Sequence, residues 1–259
     1  MGASQMKRRR SFLIACTLHS AAAGLVVVAL LVAQLAPGDA LAAPSFDCKA
    51  ANETEKVICR SDKLSRLDQE IADAYKAALG SLAADAAAVA ALRESQRHFV
   101  ALRDKGLGTN PADVDEFMET HRNFLRAIAP RARAGFLGIW ETVGGVVIIK
   151  KGKRGKFGVD AETFGDPLWG NRYCAGGGDF TMRGAALLSA NGPREWNQKL
   201  TRRGHLLVLE EIEPAARKPG EERAQRDTCG ANGSLVGTFF PTRGPKPSYG
   251  DTIGLDPRK

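Results

Sequence analysis

The chain of 259 residues is poor in the side chains that most catalysis depends on, with four histidines and three tyrosines in all. Beyond the first forty residues the histidines are His98, His121 and His205. No two of them form a metal-binding pair on one helical face, and none belongs to a glutamate-flanked pair of the zinc-protease kind. A Gly-x-Ser-x-Gly nucleophile elbow is missing as well. Gly176-Gly177-Gly178 lacks the strand, helix and lysine that a phosphate loop requires. No Cys-x-x-Cys pair occurs, and no cysteine has a histidine close by in sequence, which argues against a zinc site. There is no internal repeat, so the chain is not a solenoid. These gaps predict a protein that is not an enzyme and that needs no metal and no cofactor.

Charge is missing from one long stretch, Ser11 to Leu35. Lys7, Arg8, Arg9 and Arg10 precede that stretch, and Ala40-Leu41-Ala42 follows it after Pro37-Gly38-Asp39. A basic n-region, an apolar h-region and a small-x-small exit make a secretory signal. Cleavage after Ala42 avoids a bond followed immediately by Pro44. An uncleaved membrane anchor is the competing reading, because the uncharged run is just long enough to span a bilayer. Arg9-Arg10-Ser11-Phe12-Leu13 resembles a twin-arginine export motif, leaving that route and the general secretory route both open. Leu13-Ile14-Ala15-Cys16 has too little apolar chain before it to be a lipoprotein box. The expectation is a signal peptide over 1–42 and a periplasmic or secreted mature protein.

An exported chain sits in an oxidising compartment, where an even cysteine count reads as disulfides. Four cysteines remain after the signal, Cys48, Cys59, Cys174 and Cys229. Three connectivities are open, and proximity in sequence favours Cys48 with Cys59 and Cys174 with Cys229. Closing the shorter loop contributes roughly 2–3 kcal/mol by restricting the unfolded chain.

The periodicity changes near Pro130. Ser61-Asp62 offers an N-cap, and Leu64, Leu67, Ile71, Tyr75 and Leu79 follow at helical spacing until Gly80 ends or interrupts the helix. An alanine-rich second helix runs from Ala83 to Lys105, with Leu92, Phe99 and Leu102 on its apolar face, and is broken by Gly106-Leu107-Gly108. Asn110-Pro111 starts another, reaching about Ala129, with Val114, Phe117, Met118, His121 and Leu125 as its stripe. Beyond Gly135 short strands are predicted at Trp140–Val143, Val146–Ile149, Lys156–Val159, Leu206–Leu209 and Leu235–Phe240. Turns are predicted at Gly176 to Asp179, at Gly204 and at Asn232-Gly233, with an exposed loop from Pro214 to Asp227. Trp140, Trp169 and Trp196 read as core or packing residues. The fold class is α+β, a small disulfide-stapled helical bundle followed by a small antiparallel β barrel or sandwich. Its parts are a helical domain at 44–130, a β domain at 131–240 and a loose tail at 241–259.

The residues around the first cysteine pair carry a resemblance. Phe46-Asp47-Cys48, Glu55-Lys56, Ile58-Cys59, Ser61-Asp62, Leu64, Leu67-Asp68 and Tyr75, followed by Gln96-Arg97, Phe99 and Arg103-Asp104, are similar to the N-terminal domain of the LprI-type lysozyme inhibitor family. The resemblance spans about residues 46–104. It implies that Asp47, Leu64, Leu67, Asp68, Tyr75, Gln96 and Arg103 are motif residues of a structural kind, and that lysozyme or another envelope protein is the partner. From the residues themselves, Leu64, Leu67 and Tyr75 read as core, and Asp68 as a solvated surface charge, with a salt bridge to a neighbour or a carboxylate presented to a partner as the alternatives. Family members usually carry a third cysteine just after the Arg-Asp step and a fourth in the last helix. Here Lys105 takes the first place, no cysteine takes the second, and His121 stands in for a tyrosine of that helix. The last helix must therefore be held by apolar contacts.

Charge is uneven along the mature chain. Residues 44–130 hold 12 basic and 14 acidic side chains, and residues 131–259 hold 21 and 14. Five cations, Lys150, Lys151, Lys153, Arg154 and Lys156, crowd a predicted hairpin tip. They read as a solvated turn guarding a sheet edge, or as an anion-binding point for an envelope polymer, a lipid surface or an acidic protein. Nucleic acid suits the charge but not the compartment. The functional expectation is an exported cell-envelope binding protein resembling lysozyme inhibitors. The alternative is an envelope protein that docks on anionic polymers or lipids through its basic β domain, without inhibition.

Overall fold

The structure, a computed structural model, describes residues 43–109, 114–130, 135–164, 173–189, 196–213, 229 and 234–244. The signal segment, Asn110-Pro111, Trp169, the Pro214–Asp227 loop and Asn232-Gly233 lie outside the described residues. Four helices come first: α1 (Glu53–Cys59), α2 (Asp62–Leu82), α3 (Ala86–Thr109) and α4 (Val114–Ala127). Eight strands follow and close into an antiparallel barrel in chain order: β1 (Gly138–Thr142), β2 (Gly145–Lys151), β3 (Phe157–Phe164), β4 (Tyr173–Arg183), β5 (Ala186–Ser189), β6 (Asn197–Arg203), β7 (Leu206–Ile212) and β8 (Gly237–Thr242). The α+β expectation holds, and of barrel and sandwich it is the barrel.

Local chemistry explains the helix starts. Asn52 and Glu55 form a reciprocal capping box on α1, with Asn52 Oδ1 accepting from Glu55 N–H at 2.9 Å and Glu55 Oε2 accepting from Asn52 N–H at 2.9 Å. Ser61 Oγ accepts from Leu64 N–H at the start of α2. Gly80 does not end α2, which continues to Leu82. The fully buried Leu82 side chain offsets the roughly 1 kcal/mol that a mid-helix glycine costs. Nor do Gly106 and Gly108 break α3, which runs to Thr109.

The barrel is packed inside rather than hollow. Trp140, Val147, Ile149, Val159, Phe180, Leu187, Leu200, Leu207, Leu209, Leu235 and Phe239 form one buried cluster, with the Trp140 indole N–H donating to Phe136 O at 2.7 Å. Gly176 to Asp179, predicted as a turn, lie inside β4 and pair with Asp160 to Ala161 and their neighbours on β3. These glycines mark close approach instead. A Cβ on Gly177 would collide with the carbonyl oxygen of Val159, and one on Gly176 with the side chains of Leu235 and Gln198 in the barrel interior. β8 also carries Pro241 and Thr242, which the sequence assigns to the tail. They close the barrel on β1, with Ile139 opposite Thr242.

Helices and barrel share a core. Val143, Leu206 and Phe240 belong to the same cluster as Leu67, Phe99, Phe124 and Leu125 of the helices. Phe124 meets Phe240 edge-on at 6.0 Å. Ala129 N–H donates to Pro241 O and Arg243 N–H to Ala127 O, tying the end of α4 to β8. Asp85, the residue before α3, accepts from Ala88 N–H at 3.0 Å and from His205 N–H at 2.8 Å. His205 lies in the two-residue β6–β7 turn beside Gly204, whose φ is +58° and whose missing Cβ leaves room for the Asp85 carboxylate.

Candidate partner-binding face of the helical unit

The motif residues divide into a set consumed by the core and a set left at the surface. Cys48 and Cys59 are bonded, with Cα atoms 6.0 Å apart, and this staples the leading segment to the end of α1. Cys174 and Cys229 are bonded likewise in the barrel. Asp47 stays exposed and accepts from Lys49 N–H in a local turn. Leu64 and Leu67 are buried.

Asp68 is not a solvated surface charge. Its side chain and that of Arg103 are each 5 % exposed, and Arg103 Nη1 donates to Asp68 Oδ1 at 2.8 Å. Asp68 Oδ2 accepts from Ser45 N–H at 2.8 Å and from Ser45 Oγ at 2.6 Å. Arg103 reaches Asp104 with its remaining fork, Nη2 lying 2.7 Å from Oδ1. A buried carboxylate survives only when paired and hydrogen-bonded, and this one has three donors. The pair locks α2, α3 and the leading segment together. Ser45 was not singled out by sequence, and only its adjacency to Phe46-Asp47-Cys48 could have pointed to it.

His121 ties α3 to α4. Its ring is fully buried and stacks on Phe99, with centroids 3.7 Å apart and planes 8° from parallel. It donates from Nε2 to Gln96 Oε1 at 3.0 Å. Burial, with the Arg103 cation as a second cause, pushes its proton affinity well below the ordinary value of 6.5, so the ring is neutral. Phe117 and Phe124 complete the aromatic cluster. Apolar contacts do hold α4, as its sequence requires. Lys105, at the position of the family's third cysteine, is exposed.

What remains at the surface is an open groove of about 430 Å³ between α2 and α3, lined by Tyr75, Arg93, Gln96, Arg97 and Val100. Tyr75 is half-buried, packing its ring on the core edge. Arg97 pairs with Glu94 one turn earlier, and Arg93 has no carboxylate partner among the described residues. An aromatic ring flanked by two guanidinium groups and an amide can seat a planar or anionic group of a partner. Arg93 and Val100 escaped the sequence reading, since helical spacing from Gln96 and Arg97 was their only signal.

Residues 48–135 match the family of the lysozyme inhibitor LprI. The match takes in all four helices and stops ahead of β1. No curated protein and no solved structure matches the chain. Tyr75, Gln96 and Arg97, three of the residues that resemble the LprI-type domain, thus meet in one groove of the LprI-like unit.

The five cations of the predicted tip stand elsewhere. Lys150 and Lys151 end β2, Lys153 and Arg154 lie in a single 3-10 turn, and Lys156 precedes β3. Lys156 Nζ lies 3.0 Å from Asp179 Oδ2, and Lys150 Nζ 3.9 Å from Asp160 Oδ2. No cluster of histidine, cysteine and acidic side chains suited to a metal occurs among the described residues. No helix there is long and apolar enough to cross a membrane.

Proposed function

We propose that this is an exported binding protein of the cell envelope that docks its LprI-like unit on a partner through the α2–α3 groove, with a lysozyme as the first candidate. The observation that carries the reading is the convergence of Tyr75, Gln96 and Arg97, three residues of the family-type motif, on one open groove, where Tyr75 and Gln96 also touch the core and Arg97 is exposed. The protein acts by surface complementarity and not by turnover.

Electrostatics refines the reading. The mature chain carries 33 basic and 28 acidic residues, so a basic lysozyme is repelled at long range. At short range the sign reverses. A retaining glycosidase holds two carboxyl groups in its cleft, and guanidinium forks are the side chains best matched to carboxylates. Arg93 and Arg97 therefore favour the cleft over the cationic body of such an enzyme. Association should be slow at low salt, and faster once the long-range repulsion is screened.

The test is a titration of a basic lysozyme's activity with the oxidised mature protein at low and physiological salt. Inhibition that saturates at one inhibitor per enzyme, and that falls in Arg97→Ala and Tyr75→Ala proteins of unchanged melting temperature, supports the groove. No inhibition up to about 50 µM means binding weaker than about −6 kcal/mol and sinks lysozyme as the partner.

A further inference from the structure

The barrel brings together cations that lie far apart in sequence. β2 and β3 run antiparallel with Lys151 opposite Phe157, and β3 pairs with β4 so that Phe157 faces Phe180. Arg183 lies three residues beyond Phe180, in the β4–β5 hairpin, so it reaches the same end of the barrel as the Lys150–Lys156 loop. Arg203, opening the β6–β7 turn, ends there too. Neighbouring strands are about 4.8 Å apart, so the tips of β2, β3 and β4 form a short row.

Four of these seven cations have no carboxylate partner among the described residues. Lys150, Lys156 and Arg203 have carboxylates within 4 Å, at Asp160, Asp179 and Glu210. Lys151, Lys153, Arg154 and Arg183 are exposed and have no such partner among the described residues. Backbone conformation adds an independent sign. Arg154 is the only non-glycine residue with positive φ among those described, at φ 54° and ψ 37°, and Gly155 follows at φ 77°. A turn of this shape is served better by glycine or asparagine, and holding a long side chain there is a local strain.

We infer that this end of the barrel, centred on Lys151, Lys153, Arg154 and Arg183, is a docking site for a linear anionic polymer carrying repeated carboxylate or phosphate groups. Exposed cations on neighbouring tips, without a carboxylate partner among the described residues, suit a chain that carries repeated anions. A bilayer surface fits less well, since membrane-surface elements also bring aromatic and leucine side chains into the interface. Among the described residues, Met182 and Leu137 are the large apolar side chains exposed towards this end, no exposed aromatic accompanies them, and Phe157 is packed against the barrel core. The site is independent of the α2–α3 groove and stands whether or not a lysozyme is the partner.

The experiment titrates the full mature chain into labelled polygalacturonate and, separately, long-chain polyphosphate, reading anisotropy at low and physiological salt. Phosphatidylglycerol vesicles form a third arm. The expected result is binding to at least one polymer that weakens with salt. It should drop at least about tenfold in the triple variant Lys151→Gln/Lys153→Gln/Arg183→Gln, because each cation close to an anionic surface contributes appreciably. A Lys49→Gln/Arg66→Gln variant of the helical unit should bind as the parent does. Arg154→Gly separates binding from folding, since it should melt at the same or a higher temperature yet bind several-fold more weakly. The inference is overturned by any of three results: no polymer binding at low salt, binding to vesicles alone, or losses in the Lys49/Arg66 variant equal to those at the tip. Parent-like binding by Arg154→Gly removes the arginine from the site and overturns it equally.

Discussion

Replacing Arg103 by methionine isolates the most consequential polar contact in the helical unit. The substitution keeps the length of the buried stem and removes the guanidinium, leaving Asp68 with its two bonds from Ser45 and no counter-charge. Asp104, partly exposed, can turn to water, so the uncompensated group is Asp68. Removing one partner of a buried pair costs about 3–5 kcal/mol, most of it the penalty of a stranded charge. For a folded unit of this size about 2–4 °C is lost per kcal/mol, so the melting temperature should fall by roughly 6–20 °C. A double-mutant cycle sharpens the test. In Asp68→Leu/Arg103→Met the stranded charge is gone, and the double variant should be more stable than Arg103→Met alone, with a coupling of at least about 2 kcal/mol. The assay is urea unfolding of the oxidised proteins, followed by far-ultraviolet circular dichroism. A loss below about 1 kcal/mol for Arg103→Met, the value of an exposed pair, would refute the reasoning. Additive single losses would refute it as well.

Two further consequences concern pH. His121 is held neutral with its proton affinity well below 6.5, so its contribution is fully present above pH 6.5 and is lost progressively at lower pH, where only the unfolded chain takes up the proton. His121→Phe should keep the stack on Phe99, lose about 1 kcal/mol at pH 7 with the Gln96 bond, and flatten the decline of melting temperature between pH 6.5 and pH 5, measured by calorimetry. Asp85 has its carboxyl held below the ordinary 3.8, first by the His205 N–H and next by the Ala88 N–H, so its stabilisation is present above pH 3.8 and fades as pH falls through the lowered value. Asp85→Ala should cost about 1–2 kcal/mol at pH 7 and lose its disadvantage in strong acid, read as acid titrations of both proteins.

The readable features of the sequence are local. The stripe Leu64, Leu67, Ile71 announces α2 because burial recurs with the helical period, and both disulfides follow from which cysteines share a region. β1, β2, β3, β7 and β8 are legible as apolar runs. β6 is not, because Asn197-Gln198-Lys199-Leu200-Thr201-Arg202-Arg203 has a single apolar side chain. One Leu200 suffices on the inner wall of a small barrel, and Arg202 lies 4.6 Å above the Trp140 ring rather than in solvent. β4 was hidden by glycines that are there for backbone approach and not for turning. Asp68 was misread because depth is not written in a charge. Its counter-ion is 35 residues away, and only the packing of α2 on α3 brings the two together. The row formed by Lys151, Lys153, Arg154 and Arg183 is likewise a product of strand register, with only its first three members visible as a run.

The shared core changes what the LprI match can mean for this protein. The matched segment ends at residue 135, yet its apolar surface does not end there. Phe124 and Leu125 of α4 pack in one cluster with Phe240, Leu206 and Val143, all supplied by the barrel. Cutting the chain after Pro130 would bare that face and strip Asp85 of its His205 partner. It would also remove the bonds that Ala127 and Ala129 make with β8. Burial of a single large apolar side chain is worth about 1.5–3 kcal/mol, so losing several exceeds what a small stapled bundle can spare. A boundary drawn by sequence similarity is therefore not an energetic boundary. Failure of an isolated helical fragment to bind would report its unfolding rather than the absence of a site, which is why the groove must be tested in the whole mature chain. The barrel acts first as the wall on which the LprI-like unit folds.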